Sequence, residues 1–322
     1  MPLRRLGPVS PLPDPDAILR EQPFAEIALL SQVEPLAGEE AHSGRAFLAI
    51  ADDGRRFKLR VCADRWKARR TARRLRRLAH VFPRLQARRG RYLLLEFLEG
   101  ERVDDRKELR PHAELLGRIC AEIHRMGEPR DARGRARLAW EALRLRAQFR
   151  RQLRALARAG VLDAELARGV HRARRVWLRR HGTPVGLDLH DTHKGNFMVD
   201  AHGALRYVDE EGLGYTVRGM GLAKLLAKPG VRPYSPKRED EWEAFRRGYA
   251  EVADASFLTR DYCDYVRLLE LVRSLEFKLR RETRLFKVAA EVEELRELVG
   301  RVKPEGEPAD PSVAPARGPG AP

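Results

Sequence analysis

Residues 185–214, VGLDLHDTHKGNFMVDAHGALRYVDEEGLG, constrain the chain more than any other stretch. A short apolar run, Val185 to Leu189, gives way to a loop, His190 to Gly195, too rich in His, Asp and Gly for a helix interior. The apolar triplet Phe197 to Val199, the turn Asp200-Ala201-His202-Gly203 and the run Ala204 to Val208 then read as a β-hairpin that ends on Asp209. Asp191 and Asn196 therefore share one loop, and Asp209 follows the hairpin. A carboxylate, an amide oxygen five residues on and a second carboxylate beyond a strand pair are what phosphoryl transfer with magnesium requires. One group takes the proton of the attacking hydroxyl, and hard oxygen ligands hold the metal. Each residue alone would pass for part of a solvated turn; it is the combined spacing that carries the reading.

The segment HDTHKGN resembles the catalytic loop of the aminoglycoside phosphotransferase and choline kinase-like family, usually H-G-D-x-H-P-G-N, and YVDEE resembles that family's I-D-x-E. The resemblance implies an α+β, two-lobed protein kinase-like fold, with a small antiparallel-sheet N-lobe and a larger, mostly helical C-lobe. It implies Asp191 as catalytic base, Asn196 and Asp209 as metal ligands, and ATP with Mg2+ at the site. Leu189 stands where the family usually has its first His, and Lys194 replaces the Pro.

Upstream, the order of elements fits that frame. Residues 1–23 are a Pro-punctuated lead, and residues 24–95 read as the N-lobe. Runs from Ile27 to Leu36, Arg45 to Ala51 and Arg56 to Cys62 suggest three strands, the last two joined by the turn Asp52-Asp53-Gly54. The loop Gly38 to Gly44 lacks a G-x-G-x-x-G pattern, so any cover over the phosphates falls to its backbone amides and Ser43 with Gly44; on its own it is a plain hairpin turn. In FKLRV, period 2 puts Lys58 and Arg60 on one face. The resemblance places Arg60 at the phosphate-gripping position, with Lys58 as fallback. A helix from about Arg65 to Val81, with Trp66, Ala72, Leu75, Leu78 and Ala79 as its apolar stripe, occupies the place of the helix that supplies a glutamate to that cation. No Glu lies between Glu40 and Glu96, so the pair is missing or made differently, with Asp64 as a candidate partner.

RYLLLEFLEGE, Arg91 to Glu101, reads as a strand running into a turn. By resemblance, residues 96–101 are the hinge, and adenine is held through backbone groups near Glu96 and Leu98. Residues 102–302 make the helical C-lobe. It begins with a helix over His112 to Met126 whose His124 is a structural group, continues through helical periodicity over 137–181 broken at Gly160, and ends in three helices from Asp240 to about Arg301. Gly221 takes the place of an Asp that often follows the catalytic stretch in the family. The tail 303–322, rich in Pro, Ala and Gly, is expected to be disordered.

Charge and composition decide what else the chain could do. Net charge is +17, and 54 of the 64 basic residues are Arg. Residues 55–91 hold 16 basic residues against Asp64 alone, a block able to bind nucleic acid or an anionic membrane surface, or else a trace of coding bias. There is no apolar run long enough to span a bilayer, and no apolar stretch follows Arg4 and Arg5, so a cytoplasmic location is expected. Cys62, Cys120 and Cys263 are widely separated, consistent with reduced thiols. The main expectation is an ATP-dependent phosphotransferase that moves the γ-phosphate to a hydroxyl of a small molecule, sugar-like and neutral or anionic. The alternative is a degenerate kinase-fold module that binds nucleotide or nucleic acid without turnover.

Overall fold

The computed structural model describes residues 14–36, 46–102, 112–129, 131–182, 184–189, 196–221, 239–281 and 288–302. The Pro-rich lead yields a helix, α1 (Pro15–Glu21), because Pro15 sits at its start, where no N–H is needed. The Asp14 side chain accepts the Ala17 N–H at 2.6 Å. Ile18 on α1 and Phe24 after it are fully buried against the sheet that follows.

That sheet is antiparallel, with strands β1 (Leu30–Pro35), β2 (Ala46–Ala51), β3 (Arg56–Val61), β4 (Leu85–Arg89) and β5 (Tyr92–Glu96) in the order β1-β2-β3-β5-β4. Alternation along β3 sends Phe57, Leu59 and Val61 into the apolar cluster with Ile18, Phe24, Val33 and Phe47. Lys58 and Arg60 face the other way, yet both are buried. Between β3 and β4 lies α2 (Arg65–Arg77), capped by Asp64, whose side chain accepts the Lys67 N–H at 2.7 Å. The buried face of α2 is Ala68, Thr71, Ala72 and Leu75. Trp66 does not belong to it: at about 100° per residue it lies on the far side of the helix from Ala68, and it is 64% exposed.

After β5 the chain forms β6 (Gly100–Arg102), then the helices α3 (Ala113–Met126), α4 (Ala132–Arg158) and α5 (Ala164–His181), then β7 (Val185–Leu189), β8 (Phe197–Asp200), β9 (Leu205–Tyr207) and β10 (Leu213–Val217). Strands β6, β8 and β9 make a three-stranded sheet in the order β6-β8-β9, and β7 pairs with β10, Leu189 opposite Leu213. The chain continues with α6 (Glu239–Ala250), α7 (Arg260–Arg281) and α8 (Val288–Gly300).

The described chain divides into two compact units. One comprises Met1–Leu138 with Val185–Ser256, the other Ala139–Pro184 with Phe257–Pro322. In the first, α3 packs on α6 with backbones almost touching. A Cβ built on Gly248 would lie 1.9 Å from the Glu114 carbonyl oxygen, and one on Gly117 would lie 2.1 Å from that of Phe245, so only glycine fits this crossing. In the second, α5 packs against α7 and α8, with Trp177 and Tyr265 buried between them and the Trp177 Nε1–H donating to Asp261 at 2.6 Å. Among the described residues, no helix is long and apolar enough to cross a membrane.

Candidate active site at the β8–β9 hairpin

The hairpin predicted from sequence is present, and it is held from three sides. At its turn, the Asp200 carboxylate accepts the N–H groups of His202 and Ala204 at 3.0 and 2.9 Å. Along its flank, Tyr207 donates its N–H to Val81 O at 2.7 Å, and its ring packs edge-on to Phe82 and Phe197. At its open end, the Val208 N–H donates to Asn196 O at 2.9 Å, one step beyond the pair Phe197–Tyr207. Asn196 and Asp209 are thereby brought to the same end of the hairpin, Asn196 buried and Asp209 half-buried.

Lys58 reaches this end from β3. Its Nζ donates to Val208 O at 2.6 Å and to Glu210 Oε2 at 3.1 Å, while Arg60 Nε lies 3.6 Å from Glu210 Oε1. The Glu210 side chain is 0% exposed, with Lys58 at 7% and Arg60 at 5%. Burial pushes the Glu210 carboxyl up, but Lys58 and then Arg60 outweigh it and hold it below the ordinary Glu value. Both candidate phosphate-gripping cations therefore share one carboxylate. It comes neither from α2 nor from Asp64, which caps α2. It comes from the residue next to Asp209.

Sequence reasoning gave Glu210 no role. A signal for it was present: two cations on the inward face of a strand need a buried acid, and Glu210 follows a strand end.

In place of an acid, α2 extends Arg74 to this region. Arg74 Nη1 donates to Leu213 O at 2.6 Å, and burial, with Arg70 next, pushes its guanidinium down to about 10. Leu213 pairs with Leu189, the last described residue before Asp191. Strand β7 is fixed from its other side. The buried Asp188 carboxylate accepts the Leu189 N–H at 2.7 Å and lies 3.4 Å from His124 Nε2, and His124 Nδ1 is 2.8 Å from the Tyr249 hydroxyl on α6. His124 is thus a structural group beneath β7, the strand that ends two residues before Asp191.

Asp191, Ser43 and Gly44 lie outside the described residues. Glu96 ends β5; its N–H donates to Arg84 O at 2.8 Å, and its carboxylate accepts the Arg84 N–H at 3.0 Å and pairs with Arg206 at 3.2 Å. Its backbone donor is therefore already committed within the protein. Leu98 is half-buried in the link to β6. Of the basic block 55–91, Lys58 and Arg60 are turned inward to Glu210, whereas Arg69, Arg70, Arg73, Arg76 and Arg77 on α2 are exposed. Among the described residues, no group of three or more His, Cys, Asp or Glu side chains gathers to hold a metal. The Asn196 amide and Asp209 carboxylate are hard oxygen donors of the kind that suits a small divalent cation.

A chain with this arrangement of strands and helices has been seen before. A choline kinase from Streptococcus pneumoniae superposes with a TM-score of 0.60 over 88% of this chain and 98% of its own, at 12% identity. The chain has a protein kinase-like fold. An ethanolamine kinase from Plasmodium vivax shares it, with a TM-score of 0.58 over 84% of this chain and 81% of its own, at 10% identity. A spectinomycin phosphotransferase, solved with ADP and spectinomycin, superposes with a TM-score of 0.52 over 84% and 92% at 15% identity. No family model matches the sequence. No curated protein matches it either. The α+β, two-lobed kinase-like architecture expected from residues 190–211 is therefore found in the structure, although sequence identity to these proteins is low.

Proposed function

We propose that the protein is an ATP-dependent phosphotransferase that moves the γ-phosphate to a hydroxyl of a small molecule, sugar-like and neutral or anionic. One observation carries the reading: the Lys58–Glu210–Arg60 cluster lies beside Asp209 and Asn196 at one end of the β8–β9 hairpin. A cation suited to gripping phosphate near two oxygen donors suited to a divalent ion supports the reading, because phosphoryl transfer needs both. The kinase-like fold, and the ADP complex of the spectinomycin phosphotransferase that shares it, support a nucleotide as the donor.

In this mechanism, Asp191 accepts the proton of the acceptor hydroxyl as its oxygen bonds to the γ-phosphorus and the bond to the β–γ bridging oxygen breaks. Lys58, oriented by Glu210, and Arg60 donate to phosphate oxygens, while the loop of Ser43 and Gly44 covers them. Asn196 and Asp209 would hold Mg2+, which when bound neutralises charge on the phosphates. Backbone groups near Glu96 and Leu98 hold the adenine. Positioning and charge neutralisation supply most of the acceleration, so the loss of either carboxylate should be close to total.

ADP release with magnesium and ATP, measured across a panel of sugars, nucleosides and aminoglycosides, tests the activity and finds the acceptor. Asp191→Ala and Asp209→Ala should each abolish turnover with circular dichroism unchanged; either variant working at the wild-type rate would sink the reading.

A further inference from the structure

The unit formed by residues 139–184 and 257–322 holds a cation that the phosphotransfer reading does not use. Arg174, on α5, is 5% exposed. Its guanidinium lies 4.5 Å from the centre of the Phe149 ring on α4, and among the described residues its buried Nε finds no hydrogen-bond partner. Among the described residues, no carboxylate pairs with it. The charged or polar groups acting on it are the Tyr265 hydroxyl, on α7, and Arg146 and Arg150, two more cations one turn apart on α4. Tyr265 is 0% exposed, and its hydroxyl too finds no hydrogen-bond partner among the described residues. Arg146 and Arg150 are exposed, and His171, one turn before Arg174 on α5, sits in the field of Arg174, Arg175 and Arg150.

A guanidinium removed from water without a counter-charge is costly, and the cost is normally met by a partner anion with further hydrogen bonds. Here two of the three groups acting on it, Arg146 and Arg150 on α4, are also cationic, which raises the cost. The same groups would lower it if an anion sat among them. Arg174 offers a planar fork suited to two oxygens, the Tyr265 hydroxyl offers one more donor, and Arg146 and Arg150 offer charge from the solvent side. A buried guanidinium that also feels the charge of Arg146 and Arg150 matches a dianion better than a carboxylate. We propose that Arg174 and Tyr265, flanked by Arg146 and Arg150, form a binding site for the phosphate group of a small molecule. This site does not depend on phosphotransfer at the hairpin, and either can fail without the other.

The test uses the full-length chain and inorganic phosphate as probe, with chloride replacing it at matched ionic strength. Thermal unfolding should shift up by about 3 °C at ten times the dissociation constant. Arg174→Met should remove the shift, Tyr265→Phe should reduce it, and Arg151→Ala, an exposed site on α4, should leave it intact. Acetate should do much less than phosphate or sulfate. Equal phosphate responses in wild type and Arg174→Met would mean that phosphate simply coats a basic chain, and would overturn the proposal. So would a wild-type protein indifferent to phosphate. Should Arg174→Met fail to fold, Arg174→Lys keeps the charge but loses the fork, and a several-fold weaker phosphate affinity is expected from it; unchanged affinity overturns the proposal.

Discussion

Glu210 is the point where the structure makes its most exposed commitment. It is the shared carboxylate of Lys58 and Arg60, and all three side chains are nearly or fully buried. Glu210→Gln keeps the shape and removes the charge, leaving two cations in a site that excludes water. Breaking a buried pair by removing one partner typically costs about 3–5 kcal/mol. At roughly 2–4 °C per kcal/mol for a chain of this size or a little smaller, the midpoint should fall by roughly 6–20 °C. The pH dependence has a definite sign. The folded-state carboxyl is held below its ordinary value of 4.5, so its contribution is present above that pH and is lost as pH falls through the folded value. Wild-type stability should therefore drop below about pH 4.5 partly through this group, and Glu210→Gln should flatten that part of the profile. Urea unfolding of both proteins between pH 3 and 7 measures it, with the KM for ATP as a second readout, since Lys58 loses the group that orients it. A Glu210→Gln protein within about 0.5 kcal/mol of wild type, with an unchanged pH profile, would refute the reasoning.

Two further perturbations test what surrounds the site. Gly248→Ala places a methyl 1.9 Å from the Glu114 carbonyl; prising α3 from α6 should cost about 1–3 kcal/mol, read as a lower urea midpoint at constant slope. His124→Ala takes a partner from the Tyr249 hydroxyl and from buried Asp188. Losing both contacts should cost about 1–3 kcal/mol, more than Tyr249→Phe, which loses only the first, under the same measurement.

The elements legible in the sequence are those whose signals are local. The β8–β9 hairpin is fixed by alternation and by a turn whose Asp200 caps its own backbone. The break between α4 and α5 follows from Gly160, which adopts φ 71°. The partner of Lys58 was not legible, because it stands 152 residues away and is delivered by the end of the hairpin, which no periodicity reports. The loose apolar stripe assigned to α2 failed at Trp66, since a helix this rich in Arg has few apolar positions and any large residue biases the choice of face. Helix α1 was hidden by prolines, although Asp14 followed by Pro15 is itself a helix-start signal. The candidate oxygen ligands Asn196 and Asp209 came from spacing and resemblance, whereas the charge balance of the buried cations Lys58 and Arg60 required the fold.

The position of that carboxylate changes what α2 can control. Where a helix supplies the acid, moving the helix makes or breaks the pair with the strand cation. Here α2 carries no acid at all, and the pair is closed by Glu210, adjacent in the chain to Asp209. The orientation of Lys58 is therefore tied to the end of the β8–β9 hairpin, and α2 bears on it only through its packing against the short turn Glu210–Gly212. Helix α2 is attached separately, through Arg74 to the Leu213 carbonyl. Arg74→Met should accordingly loosen α2, costing about 1–3 kcal/mol for the buried carbonyl left without its donor, while leaving the KM for ATP within twofold of wild type. Glu210→Gln should raise that KM severalfold. If Arg74→Met raised the KM as much as Glu210→Gln does, the cation would be governed by α2 after all, and the separation argued from the ion pair would not hold.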